Sequence, residues 1–207
     1  MSTSESVYKR PKIVVLGGIN MDLIGITSRL AEPGETIIGD RFYTAPGGKG
    51  GNQAVAAARM GASVSMIGRV GSDTFGPILL NDLRGYGIDV TGVSTDPEQA
   101  SGIAMILLNA ERQNHIVAIY GANTQCDDEQ LVATRHTLKG ADVLMLQLEI
   151  PHEVSIVAAR EAKKLGVTVI WDPAPATAGF PVESLQTLDV VTPNQTEAEA
   201  LTGFAVT

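Results

Sequence analysis

The glycine-rich segment at residues 46–53 contains the residue types that most directly indicate chemistry. It reads PGGKGGNQ and sets one lysine among four glycines. Glycines let a backbone approach a ligand closely, and a following helix offers free N–H groups to oxygen atoms. The segment is not a GxxxxGK[ST] phosphate loop, because no Ser or Thr follows Lys49. Nor is it a GxGxxG dinucleotide loop, since the third glycine would fall at Gln53. Taken alone, such a cluster is as often a tight turn as a binding loop.

Polar side chains recur just after predicted strands. Asn20 and Asp22 follow the first strand, Glu149 follows a later one, and Asn194 and Glu197 follow the last. The carboxyl ends of parallel strands meet at one edge of a sheet, which is where open α/β sheets bind ligands. Asp and Asn side chains accept and donate hydrogen bonds in the way that the vicinal hydroxyls of a sugar require. The alternative is that Asn20 caps a turn and Asp22 is solvated.

The elements that must position these side chains indicate an α/β fold. Short β-branched runs alternate with helix-period segments, which predicts a mostly parallel central sheet flanked by helices. Two regions, about 21–44 and 101–120, contain strand-like runs without a helix and predict a small antiparallel β lid inserted in the domain. We therefore expect residues 1–207 to form one α/β domain. The predicted strands are Lys12–Leu16, Val64–Ile67, Asp142–Gln147, Val167–Trp171 and Asp189–Thr192, and the predicted helices are Gly51–Met60, Phe75–Tyr86 and one from Pro151.

Composition argues against several other classes of protein. The net charge of -8 and the absence of Lys/Arg clusters predict no nucleic-acid partner. No apolar stretch approaches the ~20 residues that span a bilayer, and the polar start at Met1–Arg10 lacks the apolar core of a signal peptide. Cys126 is the one cysteine, which suits a reducing compartment, and we expect it at the surface or half-buried. These features predict a cytoplasmic protein with no membrane partner.

Together these segments resemble the phosphofructokinase-B (ribokinase-like) family of sugar kinases. The glycine loop and the string PNQTEAE at residues 193–199 are specific to that family, and their order and spacing match it over nearly the whole chain. Gly51 departs from the pattern, because alanine is commonest at that position. Shorter matches lie at residues 17–20 (GGIN), 33–36 (PGET), 121–123 (GAN) and 172–176 (DPAPA).

The resemblance implies a role for each polar cluster. Glu149 would contact the sugar or position Lys49. The lid residues Ala104 and Ile106 would form an apolar surface over the sugar, with plain sheet packing as the alternative. Asn194 would lie on the nucleotide side, and Glu197 would hold magnesium through water. Sugar hydroxyls would be held by Asn20, Asp22, Gly48, Lys49, Gly50, Gly51 and Asn52.

The resemblance also implies an activity, namely ATP-dependent phosphorylation of a small sugar, with D-ribose to ribose 5-phosphate favoured. ATP, Mg²⁺ and a monovalent cation (K⁺) would be required, and a homodimer would form through the lid near Ile103–Leu108. The family's catalytic base lies in a Gly-Ala-Gly-Asp-type motif that this sequence lacks. The resemblance therefore implies that residues 1–207 are an incomplete ribokinase-like α/β domain and that the base lies beyond Thr207. We assign no catalytic residue here and expect the 207-residue chain to be inactive.

Two other functions remain open at this point. The chain could be a truncated, non-catalytic sugar-binding protein, or a kinase for another sugar or a nucleoside. A nucleotide-dependent oxidoreductase on a similar sheet is disfavoured, because no Rossmann fingerprint ending in an acidic residue is present.

Overall fold

The computed structural model describes residues 10–111, 113–176 and 180–205. Apart from Arg10, the predicted polar tail lies outside these residues. In chain order the strands and α-helices are β1 (Lys12–Leu16), β2 (Asn20–Ile26), β3 (Arg41–Gly47), α1 (Lys49–Arg59), β4 (Ser63–Gly71), α2 (Phe75–Gly85), β5 (Asp89–Asp96), β6 (Gly102–Leu108), β7 (Asn114–Ile119), α3 (Asp128–Thr137), β8 (Val143–Leu146), α4 (His152–Lys164), β9 (Thr168–Trp171), β10 (Val190–Val191) and α5 (Gln195–Thr202). Two 3-10 helices lie at Gly121–Gln125 and Val182–Thr187.

Six strands form a parallel central sheet in the order β10-β9-β8-β1-β4-β5. Strand β1 is apolar throughout its second half because both of its faces are covered. Val15 packs on one side with Ala54 of α1 and Leu79 of α2. Val14 and Leu16 belong to the core on the other side, which α3 and α4 cover. The predicted α/β fold with a parallel sheet between helices is therefore confirmed.

The lid is a second sheet of four strands in the order β3-β2-β6-β7. Its two hairpins, β2–β3 and β6–β7, are antiparallel as predicted, but β2 and β6 pair in parallel. The lid is thus mixed rather than purely antiparallel. The reason is that the chain leaves the central sheet twice, after β1 and after β5, and the first strand of each excursion runs in the same direction.

One strand, one α-helix and the two 3-10 helices were missed by the sequence analysis, and another helix begins earlier than predicted. Helix α1 starts at Lys49 rather than Gly51, because Gly48 turns the chain with a φ of 83°. Strand β5 and helix α3 were not predicted. Helix α3 has a usable signal in Asp127 and Gln130, which form a reciprocal capping box at its start. Within the described residues, no helix combines the length and the apolar character of a membrane-spanning segment.

Candidate functional site

The glycine loop packs directly against the chain that follows β1. A Cβ atom on Gly48 or on Gly50 would lie 2.7 Å from the carbonyl oxygen of Gly18, so only glycine permits this approach. The Gly51 amide donates to the same oxygen at 3.0 Å. The loop is therefore a close-packing device as well as a candidate binding loop, and the free amides expected at the start of α1 are partly used within the protein.

Glu149 holds the start of α1 in place. Its side chain follows β8 and is only 7% exposed, and its Oε2 accepts a hydrogen bond from the Lys49 amide at 2.6 Å. A Cβ on Gly18 would lie 2.5 Å from the same oxygen, so β1's end, the loop and Glu149 are in mutual contact. This hydrogen bond joins Glu149 to the backbone of Lys49 rather than to its ammonium group, and the expected contact with a sugar stays a prediction.

Asp22 lies on β2, at the root of the lid, and faces the glycine loop. A Cβ on Gly47 would lie 2.6 Å from both of its carboxylate oxygens, which places the carboxylate against the backbone of β3. Burial raises the pKa of Asp22 above its usual range. The half-buried carboxylate is therefore not the freely solvated group that was the alternative reading of the sequence.

The acidic groups at this edge of the sheet affect one another. Burial is the main cause that raises the pKa of Glu149; the Lys49 amide and ammonium oppose it, and the charges of Asp22 and Asp172 add to it. Burial also raises the pKa of Asp172, with Lys49 opposing and Glu197 adding. These interactions indicate that Lys49 lies near Glu149 and Asp172, that Asp22 lies near Glu149, and that Glu197 lies near Asp172. We call Asp22, Glu149, Asp172 and Glu197 the acidic rim.

Asn20 is held from behind by an asparagine that the sequence analysis did not select. Asn20 is 2% exposed, and its Oδ1 accepts a hydrogen bond from Nδ2 of Asn123 at 2.8 Å. It is part of β2 and so does not cap a turn. The signal for Asn123 was available, because it closes the GAN segment that had been noted only as a family match.

The lid residues Ala104 and Ile106 share a face with Asp22. In the parallel pairing of β2 with β6, Ala104 is the partner of Asp22 and Ile106 is the partner of Ile24. Paired residues point to the same side of a sheet. The lid therefore presents an acidic group and apolar groups on one surface, as an apolar cover over a bound sugar requires.

Asn52 lies in the first turn of α1. It is exposed at the start of α1 and lines a small cavity between that helix and α2, together with Pro46 and Leu79. Within the described part of the chain its side chain makes no hydrogen bond. Gln53, one position later, is the residue that faces the sheet, and it accepts a hydrogen bond from Gln147 after β8.

Asn194 and Glu197 pair with each other at the start of α5. Asn194 Oδ1 accepts from the Glu197 amide at 2.8 Å, and Glu197 Oε2 accepts from the Asn194 amide at 2.9 Å. This capping box leaves one carboxylate oxygen of Glu197 free of it. The described residues include no cluster of three or more His, Cys, Asp or Glu side chains that could hold a metal ion on its own. The metal-binding role expected for Glu197 stays a prediction.

Cys126 is more deeply buried than the surface or half-buried position expected for it. It is 3% exposed, and burial raises the pKa of its thiol to about 12. It forms part of the core beneath α3 and is a poor nucleophile at neutral pH.

Comparison with known proteins decides the family. The model of the pfkB family of carbohydrate kinases matches residues 10–206. The chain belongs to this family. It is 41% identical to a ribokinase from Haemophilus influenzae and 40% identical to one from Staphylococcus aureus, over 95% of the chain and 64% of each relative. The chain thus spans less than two thirds of the length of these relatives.

Solved structures of pfkB-family relatives agree with this assignment. Ribokinase from Arabidopsis thaliana, complexed with ribose and ATP, is 33% identical with a TM-score of 0.83, and the match covers 95% of this chain and 64% of that one. Ribokinase from Thermotoga maritima is 35% identical with a TM-score of 0.80, covering 91% of this chain and 61% of that one. The central sheet and the lid are therefore those of a carbohydrate kinase.

The raised pKa of Glu149 predicts how stability depends on pH. Because the folded state holds this proton more tightly than the unfolded state, ionisation of Glu149 lowers the free energy of unfolding as pH rises above the ordinary Glu pKa of about 4.3. Replacing the carboxylate by an amide removes that loss. We expect the stability difference between Glu149→Gln and the parent to shift in favour of the variant between pH 4 and pH 7, as measured by urea denaturation.

The matched control for this experiment is Glu98→Gln, an exposed position in the turn after β5. It reports the effect of the amide substitution away from the rim. A Glu149→Gln variant that loses stability relative to the parent as pH rises from 4 to 7 would contradict the raised pKa.

Proposed function

We propose that the whole protein transfers a phosphoryl group from ATP to a small sugar, with D-ribose as substrate and ribose 5-phosphate as product. The observation that carries this proposal is the contact between Glu149, the Lys49 amide and Gly18, with Asp22 and the lid facing the same edge of the sheet. This arrangement places fixed hydrogen-bonding groups and apolar lid residues at one edge of the sheet, which suits a polyhydroxyl compound. The ribokinase relatives, one of them complexed with ribose and ATP, support the same substrate class.

In this proposal the chain supplies the sugar-binding part of the site. Asp22 accepts hydrogen bonds from sugar hydroxyls, and the ammonium group of Lys49 donates to them. Asn20 completes the set from the start of β2, and Ala104 and Ile106 exclude water from above. The remaining loop residues of the proposed sugar site are Gly48, Gly50, Gly51 and Asn52.

ATP and Mg²⁺ are proposed as the cofactors, with K⁺ as a further requirement of the whole protein. When bound, ATP supplies the phosphoryl group and Mg²⁺ neutralises its developing charge. Glu197 fits a water-mediated contact to the metal, because one of its carboxylate oxygens takes no part in the capping box. Its charge also raises the pKa of Asp172, which places the two side chains near each other on the acidic rim. Asn194 lies beside it, on the proposed nucleotide side.

The proton acceptor of the reaction is not assigned to a described residue. Glu149 is engaged with the Lys49 amide, and Asp22 is assigned to the sugar hydroxyls. We propose that the 207-residue chain alone shows no turnover and that the whole protein supplies the base.

A cytoplasmic location is also proposed for the protein, because a single cysteine suits a reducing compartment.

A second candidate substrate is 2-deoxyribose. A deoxyribokinase from Salmonella typhi is 38% identical to the chain, and the match covers 94% of this chain and 63% of that protein. The two sugars differ by one hydroxyl, so both belong in the same assay.

The sugar-binding role of Asp22 predicts a large loss of affinity on truncation. Asp22→Ala removes a charged acceptor of hydrogen bonds, each of which contributes roughly 1.5–3 kcal/mol. We expect ribose to bind roughly tenfold to hundredfold more weakly, with the melting temperature nearly unchanged, by calorimetric titration and thermal melts. Asp128→Ala, in the exposed first turn of α3, is the control. Unchanged affinity for Asp22→Ala would remove this residue from the site.

Kinase activity is tested by ADP release from the whole protein with ATP, Mg²⁺ and each of the two sugars. We expect release that depends on sugar, and a much lower rate for the 207-residue chain, because loss of a general base costs roughly 10²–10⁴ in rate. Equal rates from the two proteins would place the base among the residues present here.

The lid predicts self-association of the whole protein. Met105 and Leu107 of β6 are 49% and 44% exposed, and a lone domain would leave these apolar groups and two sheet edges in water. We propose a homodimer that buries them. Met105→Lys should shift the protein to monomer in analytical ultracentrifugation at micromolar concentration. Val132→Lys, at an exposed position of α3, should not. A parent protein that sediments only as monomer would refute the dimer.

A further inference from the structure

The connections between the lid and the central domain converge on one buried amide. Strand β2 leaves the domain at Ile19, β6 leaves it at Gly102, and β7 returns at Tyr120. Asn123, in the 3-10 helix that follows β7, lies between these three points and is 0% exposed. A fully buried polar side chain at such a junction must have its hydrogen bonds satisfied there.

Backbone groups determine which way the Asn123 amide points. Its Oδ1 accepts from the Ile19 amide at 3.0 Å, and its Nδ2 donates to the carbonyl oxygens of Ile19 at 3.2 Å and Tyr120 at 3.0 Å. A backbone N–H only donates and a carbonyl only accepts. Rotating the amide by 180° would set N–H against N–H and oxygen against two oxygens. The orientation of Asn123 is therefore fixed by the main chain at both lid connections.

This orientation is passed on to Asn20. Nδ2 of Asn123 also donates to Oδ1 of Asn20 at 2.8 Å, so the oxygen of Asn20 faces Asn123 and its amino group faces away. Gly102 permits the contact, because a Cβ there would lie 2.1 Å from Asn20 Oδ1 and 2.3 Å from Asn123 Nδ2. The Nδ2 of Asn20 has no hydrogen-bond partner within the part of the chain that the structure describes. It is the donor left over for a ligand.

We propose that Asn123 is a positioning residue that sets Asn20 to present only N–H donors to the substrate. This inference rests on the proposed sugar site. Asn20 and Asp22 are two positions apart on β2 and share a face of the strand. Asn20 then donates where Asp22 accepts, and the pair matches two hydroxyls of a sugar, one used through its oxygen and the other through its proton. If Asn20 were flipped, Asn20 and Asp22 would both present acceptors and the match would be lost.

The orientation is tested first in the sugar-free chain by NMR. The two side-chain amide protons of Asn123 are shared among three acceptor oxygens and should exchange slowly with solvent. Those of Asn20 should exchange faster. Addition of D-ribose should shift the amide signals of Asn20 and leave those of Asn123 nearly in place. Slow exchange at Asn20 with fast exchange at Asn123 would overturn the inference, whether or not ribose binds.

A double-mutant cycle on ribose affinity tests whether Asn123 acts through Asn20. Asn123→Ala should weaken ribose binding roughly tenfold, the effect of losing one well-placed hydrogen bond. In the Asn20→Ala background the same substitution should have no further effect, because there is no amide left to orient. A purely structural role for Asn123 would give two independent losses that multiply, and this result would overturn the inference.

Gly102→Ala is the second variant if Asn123→Ala fails to fold. Its added methyl group wedges between Asn20 Oδ1 and Asn123 Nδ2 and leaves both amides in the chain, so ribose binding should weaken only while Asn20 is present. The matched control is Gly85→Ala, where the space around the added methyl group is open. Failure of the unmodified chain to bind ribose or 2-deoxyribose would refute its proposed sugar-binding role, while the NMR result decides the inference separately.

Discussion

The hydrogen bond from the Lys49 amide to the buried carboxylate of Glu149 is the interaction on which the candidate site depends. It joins the first turn of α1 to the end of β8, and Gly18 at the end of β1 packs against the same carboxylate oxygen. Three segments that are distant in sequence are thereby held at one edge of the sheet. Since a charge-assisted hydrogen bond of this kind is about twice as strong as a neutral one, it offsets part of the cost of burying the carboxylate. This contact requires glycine at position 18, because a side chain there would push Glu149 away.

The acidic rim is electrostatically unfavourable in the absence of a ligand. Burial raises the pKa values of Asp22, Glu149 and Asp172, and the charges on neighbouring carboxylates add to this effect for Glu149 and Asp172. Lys49 opposes the effect at two of the three positions. Groups with such perturbed pKa values concentrate at functional sites, where the fold tolerates a local cost in stability for the sake of binding. A neutral polyhydroxyl ligand would replace lost water around these carboxylates with fixed hydroxyl donors.

The lid contributes to the site in two different ways. Strand β6 carries the apolar side chains of Ala104 and Ile106, while the root of the lid carries Asn20 and Asp22 at the start of β2. Any movement of the lid would therefore change the position of hydrogen-bonding groups as well as the access of water. Asn123 joins Ile19 to Tyr120 at this root, so side-chain hydrogen bonds hold the part of the lid nearest the proposed sugar site.

Local patterns in the sequence determined the fold class and the glycine loop. Hydrophobic runs such as Lys12–Leu16 indicated the parallel strands, and the position of Asn20, Glu149 and Asn194 after strands indicated the edge of the sheet where they lie. This edge could be predicted because the carboxyl ends of parallel strands lie at the same edge of the sheet, whatever the order of the strands. Only the tertiary structure decided the parallel pairing of β2 with β6, the use of the Lys49 amide by Glu149, and the contact between Asn123 and Asn20. Those contacts join residues about 80 to 100 positions apart, and neither periodicity nor spacing encodes which buried donor meets which acceptor.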